Sequence, residues 1–312
     1  MKKCPAGHFF LGKGKEESAV RILRRTVTAE EAGQKLKTLL RSRWRISSSL
    51  LKSMKWREGA ITVNGLSVPV SVILREGDVV TADVSDDDTL SPHIIPVDVP
   101  LDILWEDEDL LILNKPAGLA VHSAALTEDT VTVAGAVAHY LKGQPFHPVN
   151  RLDRGVTGIM VVAKSGYIHH RCMSILHTED FRREYRGVCA GVPEQVSGII
   201  DLPIGRDPGS VLKRRIDPVG LPARSEYEVL EAFGDRALLR LRPLTGRTHQ
   251  LRLHCAAMGH PLLGDWLYGM EDPTLISRPA LHSYELWLRH PLTEELIHLT
   301  APLPEDMRRL IT

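Results

Sequence analysis

No stretch of apolar residues is long enough to cross a membrane. The N-terminus has no signal-peptide core, since Phe9-Phe10-Leu11 is only a short apolar patch. A cytoplasmic protein with no membrane partner is expected. Cysteine is scarce: Cys4, Cys172, Cys189 and Cys255 lie far apart and form no C-x-x-C pair. That spacing argues against a disulfide framework or a zinc site. Cys189 and Cys255 fall in apolar-patterned segments, as buried thiols do. Net charge is also absent, because 39 Lys and Arg balance 39 Asp and Glu. No global field therefore marks the chain for nucleic acid, and only local charge can carry that signal. There is no internal repeat. At 312 residues the chain has room for two domains and a sizeable core.

The charge is unevenly spread. Residues 1–25 show no clear period and read as a loosely docked extension. Residues 26–84 read as a basic module, and the stretch 21–84 holds 12 Lys and Arg against 6 Asp and Glu, a difference of +6. In it Ala32, Leu36, Leu39 and Leu40 repeat at helical spacing. A basic turn with Arg41, Arg43 and Arg45 follows. Ser47 to Ser49 are placed to cap a second helix that carries Leu50, Leu51 and Met54, decorated by Lys52, Lys55 and Arg57. A strand then ends in the turn Asn64-Gly65, and a further strand runs from Ile73 to Thr81. Such a module lays phosphate-binding charge on a small surface. Residues 85–100 read as an acidic linker stiffened by Pro92, Pro96 and Pro100. Its run Asp86, Asp87, Asp88 has no companion ligands and reads as solvated rather than metal-binding.

From 101 to 312 the pattern is one larger domain. Ile103 to Trp105 with Leu110 to Lys115, and Tyr227 to Leu230 with Ala237 to Leu241, read as hairpins. Helices are expected at 130–141, 168–181 and 249–258, and strands at 159–164, 185–191, 281–288 and 297–300. Hairpins dominate and βαβ units are few, so the expected class is α+β, with a mixed, mainly antiparallel sheet flanked by helices.

Four stretches carry polar residues that a core would not choose. In Pro148 to Gly158 a charged turn runs into an apolar strand, which pins Asp153 to the edge of a sheet between Arg151 and Arg154. A carboxylate held between cations stays ionised and suits nucleophilic or general-base work, although an ordinary Asx turn would look similar. Arg182-Arg183-Glu184-Tyr185 delivers a tyrosine at a strand start. Pro243 to Gln250 opens a helix, where Arg247 and free amides suit an anion. Pro261 to Gly269 is a tight, aromatic-containing loop. Lys213, Arg214 and Arg215 add a basic patch suited to RNA phosphates.

Taken together these stretches resemble the RluA family of RNA pseudouridine synthases. The carriers are R-L-D-x-x-x-x-G at 151–158, R-E-Y at 183–185, T-G-R-T-H-Q-L-R-L-H at 245–254, G-H-P-L-L-G-D-x-L-Y-G at 259–269 and L-N-K-P-A-G-L at 113–119. The basic module, with G-x-I-x-V-N-G at 59–65, resembles the S4 RNA-binding domain. The resemblance implies isomerisation of specific uridines in structured RNA, with 23S ribosomal RNA favoured and transfer RNA or a catalytically inactive RNA-binding relative as alternatives. It implies Asp153 as the essential carboxylate, Arg247 as the arginine paired with it, Tyr185 stacked on the target base and Arg151 filling the vacated stack. His249 and His254 are expected to pack or hydrogen-bond. No cofactor or metal is expected, because the reaction is redox-neutral. Nothing demands more than a monomer. The chain departs from the family pattern at Asn150 and Val156, which touches substrate positioning more than the carboxylate.

Overall fold

A computed structural model describes residues 21–85, 90–123 and 131–312. Cys4 and the run Asp86, Asp87, Asp88 lie outside the described residues. Those described fall into two compact units, 21–85 and 90–312.

In the first unit β1 (Ile22–Thr26) precedes the short helices α1 (Leu36–Ser42) and α2 (Ser48–Met54). β2 (Ile61–Val63), β3 (Leu66–Ser67) and β4 (Val79–Asp83) complete an antiparallel sheet in the order β1-β4-β2-β3. Leu36, Leu39, Leu40, Leu51 and Met54 are buried, as their spacing requires. The Ser47 hydroxyl accepts the Leu50 N–H at 3.0 Å and caps α2. Asn64 and Gly65 both have positive φ, 53° and 79°, which a type I′ hairpin turn needs. β1 corrects the boundary drawn at residue 25. Its side chains stay exposed or half-buried and its backbone ladder to β4 holds it, so no apolar alternation announces it. Buried Glu31 pairs with Arg25 at 2.8 Å and Arg43 at 2.9 Å. The Arg25 hydrogen bond, working against burial, lowers the Glu31 carboxyl from 4.5 to about 2. This pairing stabilises the fold fully above about pH 4.5, and the contribution is lost as pH falls toward about 2.

The second unit is built on a large sheet. Its first strands are β5 (Ile103–Glu106), β6 (Leu110–Lys115), β7 (His147–Pro148), β8 (Thr157–Ala163) and β9 (Phe181–Ala190). β10 (Ser197–Asp201), the small hairpin β11 (Ile204–Arg206) and β12 (Arg214–Ile216), and the long hairpin β13 (Arg224–Phe233) and β14 (Arg236–Pro243) follow. β15 (Leu281–Arg289) and β16 (Leu296–Thr300) complete the set. The order is β10-β13-β14-β9-β15-β8-β6-β5, with β16 beside β15 and β7 beside β8. Every pair is antiparallel except β15 with β8, so the sheet is mixed and mainly antiparallel as expected. Helices α3 (Val133–Tyr140), α4 (Gly166–Met173), α5 (Gln250–Ala257) and α6 (Glu305–Arg308) accompany it.

Two expectations change. Residues 90–100 are docked against α3 rather than forming a free linker: Val97 N–H donates to Gly135 O at 3.1 Å, and Ile94 packs on the core. The helix expected to reach 181 stops at Met173, and successive tight turns carry its threefold spacing on to β9.

β8 is buried at every position, and the Asp153 loop feeds directly into it. Gly158, its second residue, has φ +104°, and a Cβ there would sit 2.2 Å from Ser283 O on β15. Gly158→Ala is expected to cost roughly 3 kcal/mol or more, because the two strands would have to part. Urea unfolding measures this, and an unchanged midpoint would show that the close approach is relaxed elsewhere.

Candidate active site

The loop between β7 and β8 is fixed from below. Asn150 Oδ1 accepts the Val161 N–H at 2.8 Å and its Nδ2 donates to Ile159 O at 3.4 Å, so the side chain stands in for a strand partner of β8. Val156 is buried. The Thr157 hydroxyl lies 2.8 Å from Nδ1 of buried His282, whose Nε2 faces Ala301 O at 3.2 Å. Burial lowers His282 to about 4, so it is neutral, with its proton on Nε2 and the Thr157 hydroxyl donating to Nδ1. The departures at 150 and 156 therefore support the loop without touching its carboxylate.

Cations clamp the loop backbone. Lys115 Nζ donates to Leu119 O at 2.7 Å, Pro116 O at 2.9 Å and Arg154 O at 3.2 Å. Burial pushes this ammonium down to about 8, while nearby Asp153 favours its charge. Arg278 donates to Gly155 O at 3.2 Å and grips Asp306 with a fork at 2.7 and 2.8 Å. Arg154 Nε donates to Gly118 O at 3.0 Å, which ties the loop to the turn after β6.

The cation on Asp153 is Arg252. Its Nη1 meets Asp153 Oδ2 at 3.0 Å, while Nε and Nη2 hold Asp265 at 2.7 Å each. Arg252 and Asp265 are both buried. Burial works against the Arg252 charge, but the bonds to Asp265 and the charges of Asp265 and Asp153 outweigh it and raise its pKa. Gly264 makes room for this partner: it has φ +67°, and a Cβ would lie 2.3 Å from Arg278 O. Asp265 Oδ1 also accepts the N–H groups of Leu267 at 3.1 Å and Tyr268 at 3.3 Å.

This corrects the expected pairing of Arg247 with Asp153. Arg247 Nε donates to Pro222 O at 3.0 Å instead. Its backbone N–H is taken by Gln250 Oε1 at 3.0 Å, so that helix start does not offer this amide to an anion. Gln250 cross-links the turn, accepting from the Thr245 hydroxyl at 2.7 Å and donating to Arg224 O at 2.8 Å. Arg247 still lines a cavity of about 750 Å³ together with Asp153, Arg151, Tyr185, Arg183 and Arg252. Arg151 is exposed at its rim, and Tyr185 is buried in its wall.

His254 is a satisfied core residue, with Nδ1 2.9 Å from Ser225 Oγ and Nε2 3.0 Å from Leu202 O. His249 is not merely packed, for its Nε2 lies 3.8 Å from Asp153 Oδ2. Of the expected RNA-contact residues, Arg41, Arg45, Lys52 and Lys55 are exposed. Arg43 is engaged with Glu31, Arg57 with Asp83 at 3.6 Å, and Arg215 with Asp217 at 3.1 Å. Lys213 and Arg214 are half-buried at the start of β12. The missed residues are Arg252, Asp265, Lys115 and Arg278.

Among the described residues Asp107, Asp109 and His290 bring possible metal-ligand atoms together. His290 Nδ1 accepts N–H groups from Leu292 at 3.3 Å and Thr293 at 3.0 Å, which puts the imidazole proton on Nε2. Nε2 faces Asp107 Oδ2 at 3.2 Å and Asp109 Oδ2 at 3.6 Å. Among the described residues no helix is long and apolar enough to cross a membrane.

The fold and site define an α+β protein with one oriented carboxylate at the floor of a cation-lined cavity. The RNA pseudouridylate synthase family matches residues 109–257. An uncharacterized RNA pseudouridine synthase of Bacillus subtilis, YjbO, is 38% identical over 269 residues, covering 85% of this chain and 94% of the relative. The ribosomal large subunit pseudouridine synthase D of Yersinia pestis is 36% identical over 311 residues, 92% of each chain. The solved structure of human RNA pseudouridylate synthase domain containing 4 is similar with a TM-score of 0.52 at 28% identity, covering 66% of this chain and 90% of that one. The chain belongs to the RNA pseudouridylate synthases, in the RluA family, and is an RNA pseudouridine synthase.

Proposed function

We propose that this enzyme converts specific uridines of ribosomal RNA to pseudouridine, with Asp153 as the essential carboxylate. The observation that carries the catalytic part is the 3.0 Å contact of buried Arg252 with Asp153 Oδ2 at the cavity floor. The ribosomal substrate is favoured by the relatives named ribosomal large subunit pseudouridine synthase D. A uridine in folded RNA has to turn out of its stack to reach Asp153. In this reading Tyr185 stacks on that base and Arg151 fills the gap it leaves, and the support is that both line the cavity with Asp153. Arg247, released from the role of partner to Asp153, suits a phosphate of the bound strand. Lys213 and Arg214 extend that role along β12. The reaction needs no cofactor. The enzyme works as a cytoplasmic monomer.

Residues 21–85 act as an S4-type RNA-binding unit. The support is its pair of helices beside an antiparallel sheet, with Arg41, Arg45, Lys52 and Lys55 exposed on a module carrying excess positive charge. Changing these four to Gln should weaken RNA binding and lower the slope of log affinity against log salt by about one for each phosphate no longer neutralised. Single-turnover chemistry at saturation should change little. An unchanged salt slope would show that this surface does not bind the substrate.

The substrate is tested by pseudouridine mapping in a deletion strain rescued with wild type or Asp153→Ala. Ribosomal sites that vanish and return only with wild type support the proposal. Loss confined to transfer RNA would move the substrate, and no change at any site would oppose the catalytic reading.

A further inference from the structure

His249 sits at the N-terminal end of α5 in the left-handed region, with φ 59°. Few non-glycine residues adopt that conformation, and one that does so next to a candidate site draws on its surroundings. Here the surroundings are a chain of hydrogen bonds. The Arg214 N–H donates to the Tyr268 hydroxyl oxygen at 2.8 Å, and that hydroxyl lies 2.9 Å from His249 Nδ1. The other ring nitrogen, Nε2, faces Asp153 Oδ2 at 3.8 Å. Arg252 Nη1 meets the same oxygen at 3.0 Å, and its guanidinium lies 5.4 Å over the Tyr268 ring. The hydrogen bond from Arg252 and the longer approach of His249 thus both fall on Oδ2.

We infer that His249, set by Tyr268, is a positioning residue for the reaction: neutral, with its proton on Nε2, it holds the Asp153 carboxylate in the rotation that presents Oδ1 to the uridine. The inference rests on Asp153 being the essential carboxylate. The Tyr268 hydroxyl, already accepting from Arg214, gives its own proton to Nδ1, and this fixes the His249 tautomer. The groups facing His249 agree with a neutral ring. Burial lowers its pKa, Arg252 from α5 and Arg214 from β12 lower it further, and Asp153 from its loop and Asp265 from the loop after α5 work the other way. A protonated ring would put a second proton on Nδ1, reverse the bond to Tyr268 and set a new cation beside Arg252 and Arg214.

The protonation of His249 therefore limits the reaction at low pH, and two variants move that limit in opposite directions. His249→Gln keeps a neutral polar side chain beside Asp153 but does not titrate, so the acid limb of the rate profile shifts down while the neutral-pH rate stays within about tenfold. Tyr268→Phe removes a bond that favours the neutral ring, so His249 takes up its proton at higher pH and the acid limb shifts up. A merely structural role for either residue would lower rate or stability without moving the limb.

The test uses the full-length enzyme and total RNA, tritiated at uridine C5, from cells lacking the protein. Forming the carbon–carbon glycosidic bond displaces that hydrogen, so tritium release reports the reaction. Single-turnover rates would be measured from about pH 5 to 8, where an imidazole titrates. Opposite displacements of the two acid limbs support the inference. Profiles that superimpose on wild type overturn it, provided that Asp153→Asn releases no tritium. Release by Asp153→Asn would overturn the reading of Asp153 itself. Circular dichroism confirms that each variant is folded, and either variant decides the question if the other is not.

Discussion

Arg252→Lys should lower turnover by on the order of 100-fold while leaving RNA affinity within a few-fold. The guanidinium serves two carboxylates at once, Asp265 at 2.7 Å through two nitrogens and Asp153 at 3.0 Å through the third. A lysine ammonium is a point charge on a flexible stem and cannot span both. It would settle on the fully buried Asp265 and leave the Asp153 carboxylate to rotate. Arg252→Met should be worse in another way. It leaves Asp265 as an uncompensated buried charge, which costs about 3–5 kcal/mol. Arg247→Lys makes the contrast, because Arg247 holds only a backbone carbonyl, Pro222 O. Its effect should appear mainly in RNA binding and stay within about tenfold. Single-turnover rates beside denaturation midpoints separate these effects. A crippled Arg247→Lys with a near-normal Arg252→Lys would reverse the assignment.

Asp153→Asn should reduce turnover by about four orders of magnitude or more, as removal of an essential reacting group does. RNA binding should hold within a few-fold. Asn has the shape of Asp and keeps an oxygen for Arg252, and the clamps on the loop act on its backbone through Lys115 and Arg278, so the loop should stay in place. The rim cations Arg151 and Arg247 are untouched. What is removed is the negative charge that nucleophilic or base chemistry requires. Filter binding and single-turnover assays on the same preparations measure both quantities. An affinity loss as large as the rate loss would mean that Asp153 organises the RNA site rather than the chemistry.

Much of the scaffold was legible in the sequence because its signals are local. The hairpins β5–β6 and β13–β14, the Ser47 cap and the Asn64-Gly65 turn each depend on neighbouring residues. The placement of Asp153 was legible for the same reason, being in a charged turn set against a buried strand. Its partner was not. α5 is buried along most of its length, from Gln250 to Cys255, so no polar face sets Arg252 apart from the apolar residues around it. The carboxylates it holds, Asp153 and Asp265, are 99 and 13 residues away in the chain. Arg247 stands out in the sequence because it lies in a Gly- and Thr-containing turn, although that turn is closed by Gln250. Lys115 and Arg278 bind backbone carbonyls, and a carbonyl leaves no mark in a sequence. β1 was hidden because its pairing involves the backbone and not the side chains.

The most direct test is tritium release from C5-labelled ribosomal RNA, taken from a deletion strain, by purified wild-type and Asp153→Asn protein. Wild type should release tritium up to a fixed stoichiometry per ribosomal RNA molecule, and the variant should bind the RNA but release none. Equal release by both would contradict the role of Asp153. No release by wild type would contradict the ribosomal substrate.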